Sequence, residues 1–151
     1  MYTSVFKTAN IILFCLLVTI LQSCGNAATK ASHSRARENE IRATVQHIQD
    51  YDSLAAYITR YEQKEDLVAL AITYNVLGYN LRKNSEFAEA LIAHNRALEY
   101  SIMSADTMEI MRSLNNLGTA YRRMGQLKDA SLQHYKALEY CGQYSDQSSD
   151  E

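Results

Sequence analysis

The chain has 151 residues, 47% of them apolar and 21% charged, with a formal net charge of -2. That balance suits one globular domain and excludes a disordered chain; without a long basic run, neither nucleic acid nor an anionic membrane surface is an electrostatic partner. Proline is absent and there are five glycines, so little interrupts a helix and little supplies the turns that closely spaced strands need, and an all-α fold is expected.

At the N-terminus Lys7 precedes an eleven-residue apolar run, Ile11 to Leu21. This is about half of the roughly 20 residues a membrane-spanning helix requires, and it reads as an export signal. The run ends in Leu21-Gln22-Ser23-Cys24, which resembles the bacterial lipobox: an aliphatic residue three places before a cysteine, and a small residue directly before it. The resemblance implies that residues 1–23 are a signal peptide and that Cys24 is lipidated, anchoring the exported protein in a bacterial envelope membrane, on the periplasmic side or the surface. An ordinary signal peptide cleaved nearby, with Cys24 a bystander, is the alternative. With Cys24 acylated and Cys15 lost with the signal, Cys141 is the remaining free thiol and no intrachain disulfide forms.

Residues 24–36 are small and polar without an apolar period, the pattern of a flexible tether reaching about 20 Å on average. From Arg37 the pattern turns helical. Ile41, Val45 and Ile48 fall at i, i+4 and i+7, and Leu54, Tyr57, Ile58 and Tyr61 repeat that spacing. Residues 37–65 therefore form a helical hairpin, a degenerate copy of the two clearer units downstream, with Asp52 positioned to cap its second helix.

Residues 66–141 divide into two units, 66–102 and 106–141, that align without a gap at an offset of 40. Identical pairs include Asn75/Asn115, Leu77/Leu117, Gly78/Gly118, Arg82/Arg122, Ala90/Ala130 and His94/His134, and both units end in Ala-Leu-Glu-Tyr, starting at Ala97 and Ala137. Self-similarity at such a period marks stacked repeats. In the second unit Leu114, Leu117, Tyr121 and Met124 line one helix and Leu127, Ala130, His134, Ala137, Leu138 and Cys141 another, with the break at Gly125-Gln126. A link that short makes the helices antiparallel. A single hairpin cannot cover its own apolar face, so hairpins stack.

The pattern Tyr74-x2-Leu77-Gly78-x2-Leu81, Ala90-x3-His94 and Ala97, repeated as Leu114-x2-Leu117-Gly118-x2-Tyr121, Ala130-x3-His134 and Ala137, resembles the tetratricopeptide repeat. It departs in having no tryptophan at the first slot, histidine at the second aromatic slot, no terminal proline, and a period of 40 rather than 34. Leu114-Asn115-Asn116-Leu117-Gly118 with Tyr121-Arg122-Arg123 looks like the longer kinesin-light-chain type. The resemblance implies a right-handed superhelical solenoid whose first helices line a concave groove for an extended peptide or a partner helix.

Along those first helices Asn75, Tyr79 and Arg82, and again Asn115, Thr119 and Arg122, fall at i, i+4 and i+7, giving each a polar stripe. The resemblance assigns Asn75 and Asn115 to a peptide backbone, and Arg82, Lys83, Arg122 and Arg123 to acidic side chains or a carboxylate. The alternative for these cations is the dipole at a helix C-terminus. Leu77, Gly78, Ala90, Ala97, Leu117, Gly118, Ala130 and Ala137 are the structural positions of the repeat. His94 and His134 are expected in the core rather than on a metal, since zinc needs three or four gathered ligands. No phosphate loop, nucleophile elbow or cysteine pair occurs, so neither an enzyme nor a cofactor is expected.

Residues 142–151 read as a polar tail or the opening of a further repeat, with Gly142 as a helix stop. The last hairpin then lacks the polar cap that terminal repeats carry, which suggests a fragment of a longer array or self-association through the open flank. The expected function is a non-enzymatic protein-binding scaffold on an envelope membrane; the alternative is the truncated sensory segment of a transmembrane signalling or transcriptional regulator.

Overall fold

A computed structural model describes residues 32–149. The signal, Cys24 and residues 25–31 lie outside them, as do the last two residues. Among the described residues six helices follow one another: α1 (residues 32–45), α2 (Tyr51–Glu62), α3 (Leu67–Lys83), α4 (Phe87–Met103), α5 (Thr107–Arg123) and α6 (Leu127–Ser149). Chain contacts divide the molecule between Asn39 and Glu40, and the residues from Glu40 onward form the larger compact unit.

Within that unit α3 packs on α4, α5 on α6, and α4 on α5, while α3 also meets α2 and α5. Antiparallel hairpins in series, as the sequence requires, are the result. Ile41 and Val45 of α1, Leu54 of α2, and Ala69 and Ile72 of α3 bury one cluster; Leu81, Ala90 and Ala93 form the next, and Leu77 touches both. Each hairpin thus closes the core of its neighbour.

The period of 40 has a simple origin. α3, α4 and α5 each span 17 residues and are joined by three-residue links, so the residues beyond a 34-residue unit lengthen the helices. The four links from α2 onward share one conformation. Glu65, Ser85, Ala105 and Gly125 have φ of 51°, 67°, 54° and 76°. After each, the next amide donates five residues back: Asp66 to Tyr61, Glu86 to Leu81, Asp106 to Ser101 and Gln126 to Tyr121, at 2.9–3.1 Å. These are Schellman closures. Only one uses glycine; at the other three the left-handed residue costs roughly 1–2 kcal/mol, which packing on both sides must offset.

Three local expectations are corrected. Residues 32–36, assigned to the tether, are helical and belong to α1; neither glycine nor proline interrupts them, and Ser34 Oγ donates to Glu38 at 3.0 Å. The cap of α2 is Asp50, not Asp52: its extended backbone lets its carboxylate accept from the Ser53 amide at 2.8 Å, while Asp52 sits in the first turn. Gly142 does not stop α6, which continues to Ser149. A helical glycine costs only about 1 kcal/mol against alanine, and without a left-handed turn it is no terminator.

The recurring Ala-Leu-Glu-Tyr occupies two different settings. Ala97 is fully buried and Tyr100 stacks on Tyr74 with centroids 5.6 Å apart, while Glu99 pairs with Arg96 in solvent. Ala137 is half-buried and Leu138 is 68% exposed. The expected apolar face of α6 is accordingly only partly covered: Ala130 is buried, but Leu127, Leu138 and Cys141 are exposed. At Ser101, the counterpart of Cys141, burial is complete because α5 lies across α4.

Candidate functional site

The two repeat histidines sit in notches cut by the two repeat glycines. A Cβ on Gly78 would lie 2.6 Å from the His94 ring, and one on Gly118 would lie 2.7 Å from that of His134. Glycine at these positions makes room for an imidazole, which is why the pairs recur together. His94 is fully buried; desolvation, aided by the charge of Arg82, pushes its pKa down to about 4, so the ring is neutral at pH 7.

That neutral ring belongs to a buried polar chain. His94 Nδ1 stands 3.1 Å from Asn75 Oδ1, and since the amide oxygen only accepts, Nδ1 carries the proton. Asn116 Nδ2 donates to the same oxygen at 3.0 Å. Asn75 Nδ2 donates to Ser113 Oγ at 2.9 Å, which leads to Ser101 Oγ at 3.3 Å and on to the Ala97 carbonyl. Asn75 therefore ties α3, α4 and α5 together. Only 5% exposed, it has its amide engaged internally, a different position from the solvent-facing peptide contact that the family resemblance assigns to it. Its counterpart Asn115 is exposed.

Beside this chain a cleft of about 460 Å³ opens between α1, α3 and α5. Arg42, Gln46 and His47 form one wall, Asn75, Val76 and Tyr79 the floor, and Arg112, Asn115 and Asn116 the other wall. Glu109 sets its electrostatics. Its carboxylate is 1% exposed; Arg42 Nη2 and Arg112 Nε both reach Oε1, the latter at 3.3 Å, and Oε2 has no partner. Burial pushes the carboxyl up, Arg42 and Arg112 pull it back, and desolvation is the larger influence. Two guanidinium groups are thus held at the cleft by one buried acid, leaving an excess of positive charge.

A second hollow of about 320 Å³ adjoins the first through Tyr79, with Arg82, Lys83, Ser85, Phe87 and Arg123 around it. Arg82 lies over the Tyr79 ring, 5.3 Å from its centroid. Of the residues expected on the groove, Asn75, Tyr79 and Asn115 share the first cleft, and Tyr79, Arg82, Lys83 and Arg123 the second. Thr119 and Arg122 line neither; the Thr119 hydroxyl donates to the Asn115 carbonyl of its own helix at 3.0 Å.

Arg42, Arg112 and Asn116 were not among the expected residues, for a definite reason. Register comparison selects identities, and in the first unit positions 112 and 116 correspond to Ile72 and Val76. The signal lay in that departure: a charged residue and an amide where the preceding copy is apolar.

Among the described residues, no three His, Cys, Asp or Glu side chains gather as metal ligands would, and no helix is long and apolar enough to cross a membrane. Comparison with curated proteins and with solved structures finds no match. The profile of the tetratricopeptide repeat matches residues 60–142, the stretch holding α3, α4, α5 and most of α6. With the stacked hairpins and the glycine-notched repeat positions on the same segment, the chain belongs to the tetratricopeptide repeat family.

Proposed function

We propose that the protein is a scaffold that holds an acidic peptide in the cleft between α1, α3 and α5, displayed from a bacterial envelope membrane through a lipid on Cys24. The family generally binds protein partners and is non-catalytic. What supports the finer reading is the charge of the cleft: Arg42 and Arg112 flank it against a single buried carboxylate, and the exposed amide of Asn115 stands between them. Amides satisfy an extended backbone whatever its sequence, and guanidinium groups select carboxylates.

Arg112 and Asn115 are both exposed, so replacing them empties no core position; because Arg112→Ala also strips the buried Glu109 of one partner, binding is compared under conditions where urea denaturation shows the variant fully folded. In a peptide-display selection the wild-type chain should enrich acidic peptides. Arg112→Ala with Asn115→Ala should weaken the enriched peptides at least about tenfold, a loss of about 1.4 kcal/mol, with helical circular dichroism unchanged. Enrichment of peptides without acidic residues, or equal affinity in the double variant, would refute the reading.

The anchor rests on Leu21-Gln22-Ser23-Cys24 behind an apolar run too short to span a bilayer. Cells expressing the wild-type chain should incorporate radiolabelled palmitate into it, and Cys24→Ala should abolish the label and release the protein from membranes. Unlabelled wild-type protein would remove the lipid from the account.

A further inference from the structure

The hollow around Tyr79 holds more positive charge than helix ends explain. Arg82 and Lys83 close α3, and Arg123 closes α5. Each is favoured singly by its own helix dipole. Side-by-side packing of α3 and α5 nevertheless brings all three to one space of about 320 Å³, where they repel. Burial, then Arg123 and Arg122, depress the Arg82 guanidinium. Among the described residues no carboxylate lies within ion-pair distance of Arg82, Lys83 or Arg123. Arg82 Nε–H is enclosed and has no acceptor.

An arrangement of three cations without a counter-ion selects for the charge of its occupant. A carboxylate neutralises one of the three. A phosphate monoester carries about -1.5 to -2 at pH 7 with three acceptor oxygens, and the planar fork of arginine matches those oxygens in pairs. The Arg82 guanidinium carbon lies 5.3 Å from the Tyr79 ring centroid, a cation–π contact, and the Ser85 hydroxyl adds a donor in the wall.

We propose that this hollow is a phosphate-binding subsite that takes a phosphorylated side chain of the peptide lying in the adjoining cleft. The link to a peptide rests on the acidic-peptide reading of that cleft; the phosphate subsite itself does not. Tyr79 belongs to both walls. From Asn75 to Arg82 the helix rises about 10 Å, which an extended peptide covers in about three residues. The phosphorylated residue is therefore expected about three positions from the residue that lies over Asn75.

The test titrates the full chain with inorganic phosphate at pH 7 while the Nε–Hε signal of Arg82 is followed by NMR, with acetate and chloride at matched ionic strength as controls. Phosphate should shift that signal saturably and at least tenfold more tightly than acetate. Lys83→Gln with Arg123→Gln, both exposed positions, should weaken the response at least tenfold. Arg112→Ala with Asn115→Ala should leave it intact. An equal response to acetate, or an unchanged response in the Lys83/Arg123 variant, overturns the subsite. In a second arm, phosphoserine is placed three residues from the cleft residue of a selected peptide. It should bind at least tenfold tighter than serine there; equal binding overturns the assignment to a phosphorylated side chain. Failure of acidic peptides to be selected while the phosphate response persists refutes the cleft reading alone.

Discussion

Arg42→Met should destabilise the fold by about 3 kcal/mol, because it strips a buried carboxylate of one of its two guanidinium partners. Glu109 is 1% exposed and already has one oxygen without a partner, so water cannot replace what Arg42 supplies. Arg112 remains, which keeps the loss at the lower end of the roughly 3–5 kcal/mol typical of a broken buried pair. Replacing both partners, Arg42→Met with Glu109→Leu, should recover most of it, since the desolvated charge disappears with its counter-ion. Urea denaturation of the full chain measures both variants. A loss under about 1 kcal/mol in the single variant would mean that the carboxylate is hydrated after all. The consequence reaches binding too: Arg42 reaches across from α1 to α5, and the pair fixes both arginines at the edge of the cleft.

Acidification from pH 7 to pH 4 should cost about 3 kcal/mol through His94 alone. Its folded pKa of about 4 lies below its ordinary value of 6.5, so the unfolded chain takes up the proton first. Stability from this residue is complete above pH 6.5. It falls by about 1.4 kcal/mol per unit as pH drops below 6.5, and levels off once pH passes below about 4. Glu109 acts in the opposite sense, because its raised carboxyl favours the fold once protonated and is penalised as pH rises through its folded pKa. The His94 contribution is therefore isolated as a difference: denaturation curves for the wild type and for His94→Phe, compared at each pH. The gap should shift by about 3 kcal/mol across the window in favour of the variant. A constant gap would mean that the ring is protonated, or solvated, in the folded chain.

The stack was legible along the chain. Identities such as Leu77/Leu117, Gly78/Gly118 and Ala90/Ala130 at one offset mark helices that take equivalent places in successive hairpins, and periodicity alone identified Ile41, Val45 and Leu54 as core. Local hydrogen-bonding chemistry was less readable. Three of the four left-handed links use Glu65, Ser85 and Ala105, residues without glycine's freedom at positive φ, because the packed helices on either side impose the turn.

Which copy of a repeated residue does what was settled by packing between helices. Asn75 and Asn115 are the same residue at the same register, yet one is locked between His94 and Ser113 while the other faces solvent. The difference is α5, which lies across the first repeat and brings Ser113 and Asn116 to it. The cleft likewise depends on Arg42, Arg112 and Glu109; Arg42 and Glu109 are 67 positions apart, and no local period encodes their meeting. A pattern along the chain reports what each helix must bury; which charges then meet across helices is decided only when those helices are set side by side.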